Sequence, residues 1–420
     1  MIPLQAAVDL VLGCCSPLQP TSSAIGDALG CVAATQVRAG AAVPAFANSA
    51  MDGYAVRSSD VALAPATLSV TGTATAGTGG PAVGPGEAVR IMTGAPVPAG
   101  ADAVCMVERT RPGEAATVVV EEAVGRGENI RLPGEDVRAG QVVVEAGTVL
   151  QPAHIGVLAA VGSPRVDVYP RPVVGVMSTG DELADDGAAL RPGMIHDANR
   201  HALLAAVRAN GAAACDLGII PDDLVQLEAA LRSAGEQCDL VLTSGGVSVG
   251  DLDVVRLVLD RVATGGVHRL QVAIRPAKPL DLATLAGSGT PLIGLPGNPV
   301  SALVAFAMFA VPAIRALGGH APPEIPRLVA TTTHDLLRGA DGKVHLLRSR
   351  LVVSATGSLV VTAVAGQASH HLHAMAGANA LIVLPDGSGA VAGDQVDVVV
   401  LDPASAFLPA GADVREPTIR

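Results

Sequence analysis

From residue 173 to about 318, apolar runs of four to six residues alternate with helical stretches of ten to fifteen, and this alternation constrains the fold more than any other feature. A strand that feeds a helix and then another apolar strand builds a parallel sheet with helices on both faces. The candidate strands are 173–177, 214–219, 239–243, 270–274 and 291–294. One helix is predicted at 199–210, where Leu203, Leu204 and Val207 share a face and Gly211 ends the run. A second is predicted at 223–234, with Asp222 as N-cap and Gly235 as C-cap. Upstream, residues 35–150 read as short Val/Thr-rich strands such as 67–71, 88–92 and 116–121, broken by Gly-Pro clusters at 77–86 and 94–100: an all-β region. A helical segment from His154 to Val161 and a strand then lead to Tyr169-Pro170-Arg171-Pro172, a stiff non-helical joint and the expected domain boundary. After Pro322-Pro323, alternating strands at 344–353, 358–364, 380–384 and 396–401, with turns at Asp341-Gly342 and Asp386-Gly387, predict a small β-barrel. At the other end, Leu4, Val8, Val11 and Leu12 recur at helical spacing, as in a short helix packed on the edge of something larger.

The 420 residues suffice for about two to four domains. Half are apolar, yet there are four Phe, two Tyr and no Trp, so the cores are built from Ala, Val and Leu and stacking on nucleic-acid bases is disfavoured. The net charge of −12 and the lack of any cationic run also argue against a nucleic-acid partner. Six cysteines without a C-x-x-C pair read as small buried hydrophobes in a reducing compartment. Val300 to Ile314, interrupted by Ser301 and Pro312, falls short of the ~20 residues of a membrane span. No basic residue precedes Arg38 and Asp9 breaks the opening apolar stretch, so no export signal is expected and the expected location is cytoplasmic.

Four polar motifs follow the predicted strands: Ser178-Thr179-Gly180-Asp181-Glu182, Pro221-Asp222-Asp223, the run from Ser244 to Asp253, and Pro296-Gly297-Asn298-Pro299. All sit at strand carboxyl ends, where loops of an open α/β sheet diverge and ligands bind, so one shared site is expected. Gly245, Gly246 and Ser248 in SGGVSVG suit close approach of backbone to a phosphate; an ordinary glycine-rich turn has the same composition, and both readings stand. Neither a G-x-x-x-x-G-K-[ST] loop nor G-x-G-x-x-G is present. Glu182, Asp222 and Asp253 beside an anion cradle make electrostatic sense if a hard cation such as Mg²⁺ bridges them to phosphate. Singly, each also reads as a helix cap or a solvated charge. Lys278, one of two lysines against 25 arginines, stands between prolines in Arg275-Pro276-Ala277-Lys278-Pro279, either as a fixed point charge for an oxyanion or as part of a solvated loop. In Gln367-Ala368-Ser369-His370-His371-Leu372-His373, strand alternation would send His371 away from His370 and His373, which argues against metal binding. Asn48 to Tyr54 and Arg90 to Pro96 set polar residues against glycines in the β region, as turns or as a site. No Ser-His-Asp spacing and no G-x-S-x-G are found.

Six of these segments, NSAMDGYAV (48–56), RIMTGAPVPAGADAVCMVE (90–108), STGDEL (178–183), LGIIPDD (217–223), TSGGVSVGDLD (243–253) and GLPGNPVSAL (294–303), resemble in order the signatures of the MoeA family of molybdopterin molybdenumtransferases, to which the gephyrin E domain also belongs. The resemblance spans about residues 1–402. It implies an elongated multidomain α/β-plus-β subunit: an N-terminal helical and linker domain (1–20 with 39–46 and 135–168), an inserted β domain (21–38 with 47–134), a molybdopterin-binding α/β domain with a parallel sheet flanked by helices (169–320), a C-terminal β-barrel (321–405) and a tail (406–420). The implied reaction is Mg²⁺-dependent insertion of molybdate into adenylylated molybdopterin with release of AMP, in a homodimer with active sites between subunits and a molybdopterin adenylyltransferase as a partner. Position by position, it implies catalytic roles for Asp52, Thr93, Glu182, Asp222 and Asp253, with the metal on Glu182, Asp222 and Asp253. It implies substrate contacts from Gly245, Gly246, Ser248, Pro296, Asn298 and Pro299, and molybdate contacts from Arg275, Lys278, Ser301, Arg348 and Ser369. Gln271 and Arg275 stand where relatives carry Lys. Two other functions compete: the adenylyltransferase step itself, and a non-catalytic scaffold on the same fold.

Overall fold

The computed structural model describes residues 1–185, 187–246, 254–402 and 405; the expectations placed on Ser248 and Asp253 lie outside the described residues. The chain divides into two compact units, one of residues 22–168 and the other of residues 1–21 with 169–420.

In the second unit a six-stranded sheet runs in the order Ala213–Ile220, Val173–Thr179, Leu240–Ser244, Pro291–Leu295, Pro279–Thr284, His268–Gln271. The first four strands are parallel. The last two are antiparallel, so the sheet is mixed rather than purely parallel as expected. The cause is local: only residues 285–290 join Pro279–Thr284 to Pro291–Leu295, too short a link for the dozen or so residues a parallel crossover needs. The predicted strand 270–274 also breaks. His268–Gln271 stays in this sheet, while Ile274–Arg275 pairs with Val344 and His345 of the C-terminal sheet. Val174, Val176, Leu240, Leu242, Ile293 and Leu295 face one core, shared with Leu4, Val8 and Val11 of the N-terminal helix Leu4–Gly13. Met177, Val241 and Leu292 face another, under the helices Leu224–Gln237 and Val254–Val262. Because both faces are buried, these strands read as continuous apolar runs.

The helix Ala198–Ala209 is capped by Asp197 and ends at Asn210, with Gly211 at φ 80°. Leu224–Gln237 departs from expectation at both ends. Asp223, not Asp222, is the N-cap, its carboxylate accepting from the Gln226 amide at 2.8 Å. Gly235 does not end the helix, which continues to a cap at Cys238; a Cβ at 235 would meet Ser288 Oγ at 2.7 Å, so this glycine serves close packing. Pro299–Leu317 forms a continuous helical stretch of 19 residues, long and apolar enough to pass as a membrane span, but it is mostly buried within the protein. Proline inside an α-helix clashes with the carbonyl four residues back. A π-turn at Phe306–Ala310 precedes Pro312 and accommodates it.

The C-terminal sheet closes on itself. Val344–Val353 pairs with Leu359–Ala363 on one side and Ala380–Leu384 on the other, and Arg327–Thr332 and Gln395–Val400 complete a five-stranded barrel. The histidine tract is not a strand: residues 367–371 turn and Leu372–Ala376 is a short helix, so the alternation argument does not apply there. In the other unit a six-stranded sheet includes Gly53–Val56, Ala66–Ala74, Glu87–Ile91, Ala103–Met106 and Thr117–Val120, close to the strands expected from the Val/Thr runs.

Candidate active site

Strand Val173–Thr179 lies between Ala213–Ile220 and Leu240–Ser244, and the chain leaves it first to one side and later returns on the other. This reversal makes the carboxyl edge between 173–179 and 240–244 a switch point, where a crevice opens. The loops there expose bare backbone. Gly245 (φ 97°) donates its amide to the Leu295 carbonyl at 3.2 Å, and a Cβ on Gly297 would lie 3.7 Å from Gly245 Cα. A side chain on Gly246 (φ 70°) would run into Val255. Pro296, Asn298 and Pro299 continue this wall, Asn298 as N-cap and Pro299 at the start of helix Pro299–Ala305. One residue not singled out in the sequence belongs with them. The Asn199 amide nitrogen donates to Ser244 Oγ and to the Gly297 carbonyl, both at 2.7 Å, tying two of these loops to the start of helix Ala198–Ala209. Only its place in the first turn of a helix aimed at this edge would have marked it.

Asp181, Glu182 and Asp222 gather at the same edge. Asp181 Oδ1 accepts from the Asp222 amide at 3.2 Å. The Glu182 carboxylate folds back over Gly180, where φ is 142° and any Cβ would collide with it. Partial burial, with the charges of Asp181 and Glu182, pushes the Asp222 carboxyl above its ordinary range. Among the described residues no Arg or Lys pairs with these three acids. Nor do three described acids, histidines or cysteines converge closely enough to cage a metal by themselves. Exposed, unneutralised oxygen donors of this kind fit Mg²⁺, which binds through one or two carboxylates together with substrate phosphates and waters.

Arg348 lies in the barrel strand Val344–Val353 and is fully buried. Its Nη2 donates to the Gly366 carbonyl, while Nε and Nη1 have no partner among the described residues. Burial lowers its proton affinity from the usual arginine level. Gln367 braces the Arg348 backbone at both ends, at 3.1 and 2.8 Å. Two residues on, the Ser369 carbonyl accepts from the Val300 amide at 3.2 Å, which sets Ser369 beside the buried Ser301. Arg275 pairs in register with His345, three residues or about 10 Å before Arg348 along the strand. The loop that contains Arg275 closes through the Val272 amide, which donates to the Lys278 carbonyl at 2.8 Å. Arg275 and Lys278 are exposed, and among the described residues neither pairs with a carboxylate.

The other unit holds Asp52 and Thr93, drawn from separate motifs and joined in the fold. The Thr93 amide and hydroxyl both donate to Asp52 Oδ1, at 2.6 and 2.8 Å. The amide bond, then the hydroxyl, and the Arg90 charge hold the Asp52 carboxyl below its ordinary range. Gly53 lets this turn close, since a side chain there would overlap the Cys105 carbonyl of the adjacent strand. Thr93→Val should raise the Asp52 pKa only part of the way to its ordinary value, because the amide bond survives; side-chain carboxyl NMR titration checks it.

Comparison with known proteins bears on this arrangement. Residues 2–162 match the family described as MoeA N-terminal region (domain I and II), 175–316 a probable molybdopterin binding domain, and 331–401 the MoeA C-terminal region (domain IV). A molybdopterin molybdenumtransferase of Haemophilus influenzae is 40% identical over 358 residues, 85% of this chain and 87% of that protein. The chain belongs to the MoeA family. Molybdopterin molybdenumtransferase 2 of Mycobacterium tuberculosis is likewise 40% identical over 390 residues, 90% of this chain and 95% of its own. A crystal structure of the MoeA protein from Pyrococcus horikoshii shares 28% identity at a TM-score of 0.78, covering 96% of this chain and 99% of that one. Membership makes the protein an enzyme of molybdenum cofactor biosynthesis, a molybdopterin molybdenumtransferase by family.

Proposed function

We propose that this enzyme inserts molybdenum from molybdate into adenylylated molybdopterin with release of AMP, assisted by Mg²⁺. The observation that carries this reading is Arg348: a buried guanidinium with two nitrogens unpartnered among the described residues, braced by Gln367 two residues before Ser369, suits a tetrahedral oxyanion. Arg275 and Lys278 extend the positive charge outward, where they draw the dianion in and steer it.

The phosphates of the nucleotide lie along the glycine wall of residues 245, 246 and 297 and the residues 296, 298 and 299, where backbone comes closest. Glu182 and Asp222, with Asp253 from the same motif set, hold the cation. When bound, Mg²⁺ supplies charge neutralisation to the phosphates during pyrophosphate cleavage. Asp52, whose Oδ1 takes both hydrogen bonds from Thr93, offers its other carboxylate oxygen as a proton acceptor. The working unit is a homodimer with active sites between subunits, in the cytoplasm, supplied by a molybdopterin adenylyltransferase. Full turnover by a verified monomer in sedimentation would overturn the shared-site part.

The deciding experiment incubates the protein with adenylylated molybdopterin and Mg²⁺ and follows AMP with and without molybdate. Molybdate-dependent AMP release supports insertion. Consumption of ATP with formation of the adenylylated pterin would instead identify the adenylyltransferase step, and no turnover at all would leave a scaffold.

A further inference from the structure

We infer that Arg200 is a positioning residue that holds the Asp181–Glu182 loop and the strand end before Asp222 in their working relation, through one guanidinium shared by three carboxylates. The inference rests on the reading of Glu182 and Asp222 as cation ligands, and adds to it the device that keeps them in place.

The Arg200 side chain is only 4% exposed and lies in the first turn of helix Ala198–Ala209. Its Nε donates to Asp197 Oδ2 at 3.0 Å, its Nη1 to Asp216 and its Nη2 to Asp185. Each acid belongs to a different part of the site. Asp185 directly follows the short strand Leu183–Ala184, into which Asp181 and Glu182 lead. Asp197 caps the helix and accepts from Ser178 Oγ at 3.0 Å, at the end of the central strand. Asp216, in strand Ala213–Ile220, holds the Gly218 amide at 2.9 Å, four residues before Asp222. The Asp181–Glu182 loop meets the segment of Asp222 through the Asp181 carboxylate and the Asp222 amide at 3.2 Å, and Arg200 ties the same two segments together from behind, through Asp185 and Asp216. A planar guanidinium with five donors in fixed directions can hold three anchors at once, whereas an ammonium is a single point of charge.

Two variants test this. Asp185→Asn releases the loop arm alone. The Asp185 side chain is 73% exposed, so the melting temperature should stay at the wild-type value. Amide hydrogen exchange across residues 181–185 should quicken about tenfold, and the Mg²⁺ concentration for half-maximal AMP release should rise about tenfold with the molybdate KM unchanged. Arg200→Lys keeps the charge and loses the fork, and should reproduce both changes rather than rescue them. Wild-type exchange across 181–185 in Asp185→Asn overturns the inference, as does an equal loss of Mg²⁺ and molybdate response, which would mark a general structural defect. If wild-type turnover proves indifferent to Mg²⁺, the cation-ligand reading falls by itself, while the exchange measurement still decides whether Arg200 holds the loop.

Discussion

Arg348→Met should cost about 10²–10³-fold in molybdate-dependent turnover, the usual effect of losing one preorganised donor to an oxyanion, while the protein without molybdate melts no lower than wild type. The two halves of this result have one cause. Arg348 is a fully buried cation with one side-chain hydrogen bond, to Gly366, and two nitrogens without a partner among the described residues, so its desolvation is poorly compensated by the protein. A methionine of similar length fills the space without that cost; replacing buried charge by packed apolar side chains is neutral or stabilising by about 1–4 kcal/mol in comparable cases. Molybdate reverses the balance in the wild type. At a hundred times its dissociation constant it should add about 2.7 kcal/mol of stability and should add nothing to the variant. Calorimetry with and without molybdate measures both. A variant that melts several degrees lower, yet still responds to molybdate, would mean that Arg348 is a structural residue and the oxyanion binds elsewhere.

The second large effect is expected at Asp222, with opposite consequences for activity and stability. Asp222→Asn should lower turnover at least about 10²-fold by removing a charged group from a site that works electrostatically. In the metal-free protein at pH 7 it should be slightly stabilising, by less than about 1 kcal/mol because these carboxylates face solvent. The sign follows from the direction of the shift. Burial and the charges of Asp181 and Glu182 raise the folded-state pKa, so the stability linked to Asp222 is full below its unfolded value of about 3.9 and is lost as pH rises through the raised folded value. The advantage of the asparagine should therefore appear above that range and vanish near pH 3.5. Mg²⁺ should shrink it at pH 7 by occupying the repelling oxygens in the wild type. Unfolding measured at both pH values, with and without Mg²⁺, gives the pattern; an asparagine variant less stable than wild type at pH 7 would contradict it.

Much of this site is legible in the chain because its members follow strands whose pattern is local. The end of Val173–Thr179 leads to Asp181 and Glu182, the end of Ala213–Ile220 to Asp222, and the end of Pro291–Leu295 to the 296–299 turn, so the alternation alone puts these residues on one edge. Asp52 and Thr93 lie in two separate β-region motifs and are marked only by the family resemblance; the fold joins them by two hydrogen bonds. The histidine tract and the caps of Leu224–Gln237 were harder. In the tract, strand alternation does not apply, because the segment turns and then forms the short helix Leu372–Ala376. At the helix start, adjacent aspartates offer the same chemistry, and only the position of the Gln226 amide selects Asp223 and leaves Asp222 uncapped.

Periodicity of apolar residues determined the α/β layer, the barrel strands and the edge at which polar loops collect, because a residue's preference for a strand face or a helix stripe depends on neighbours a few positions away. Tertiary structure alone decided that the sheet turns antiparallel across the hairpin at 285–290, that Arg275 pairs with the barrel strand, that the Arg348 side chain is buried, and that Arg200 meets three acids from separate segments. Each depends on pairing between distant parts of the chain. Desolvation and charge compensation are set by what surrounds a group in space, and nothing in the order of residues around Arg348 announces that its guanidinium will be buried with two donors unused.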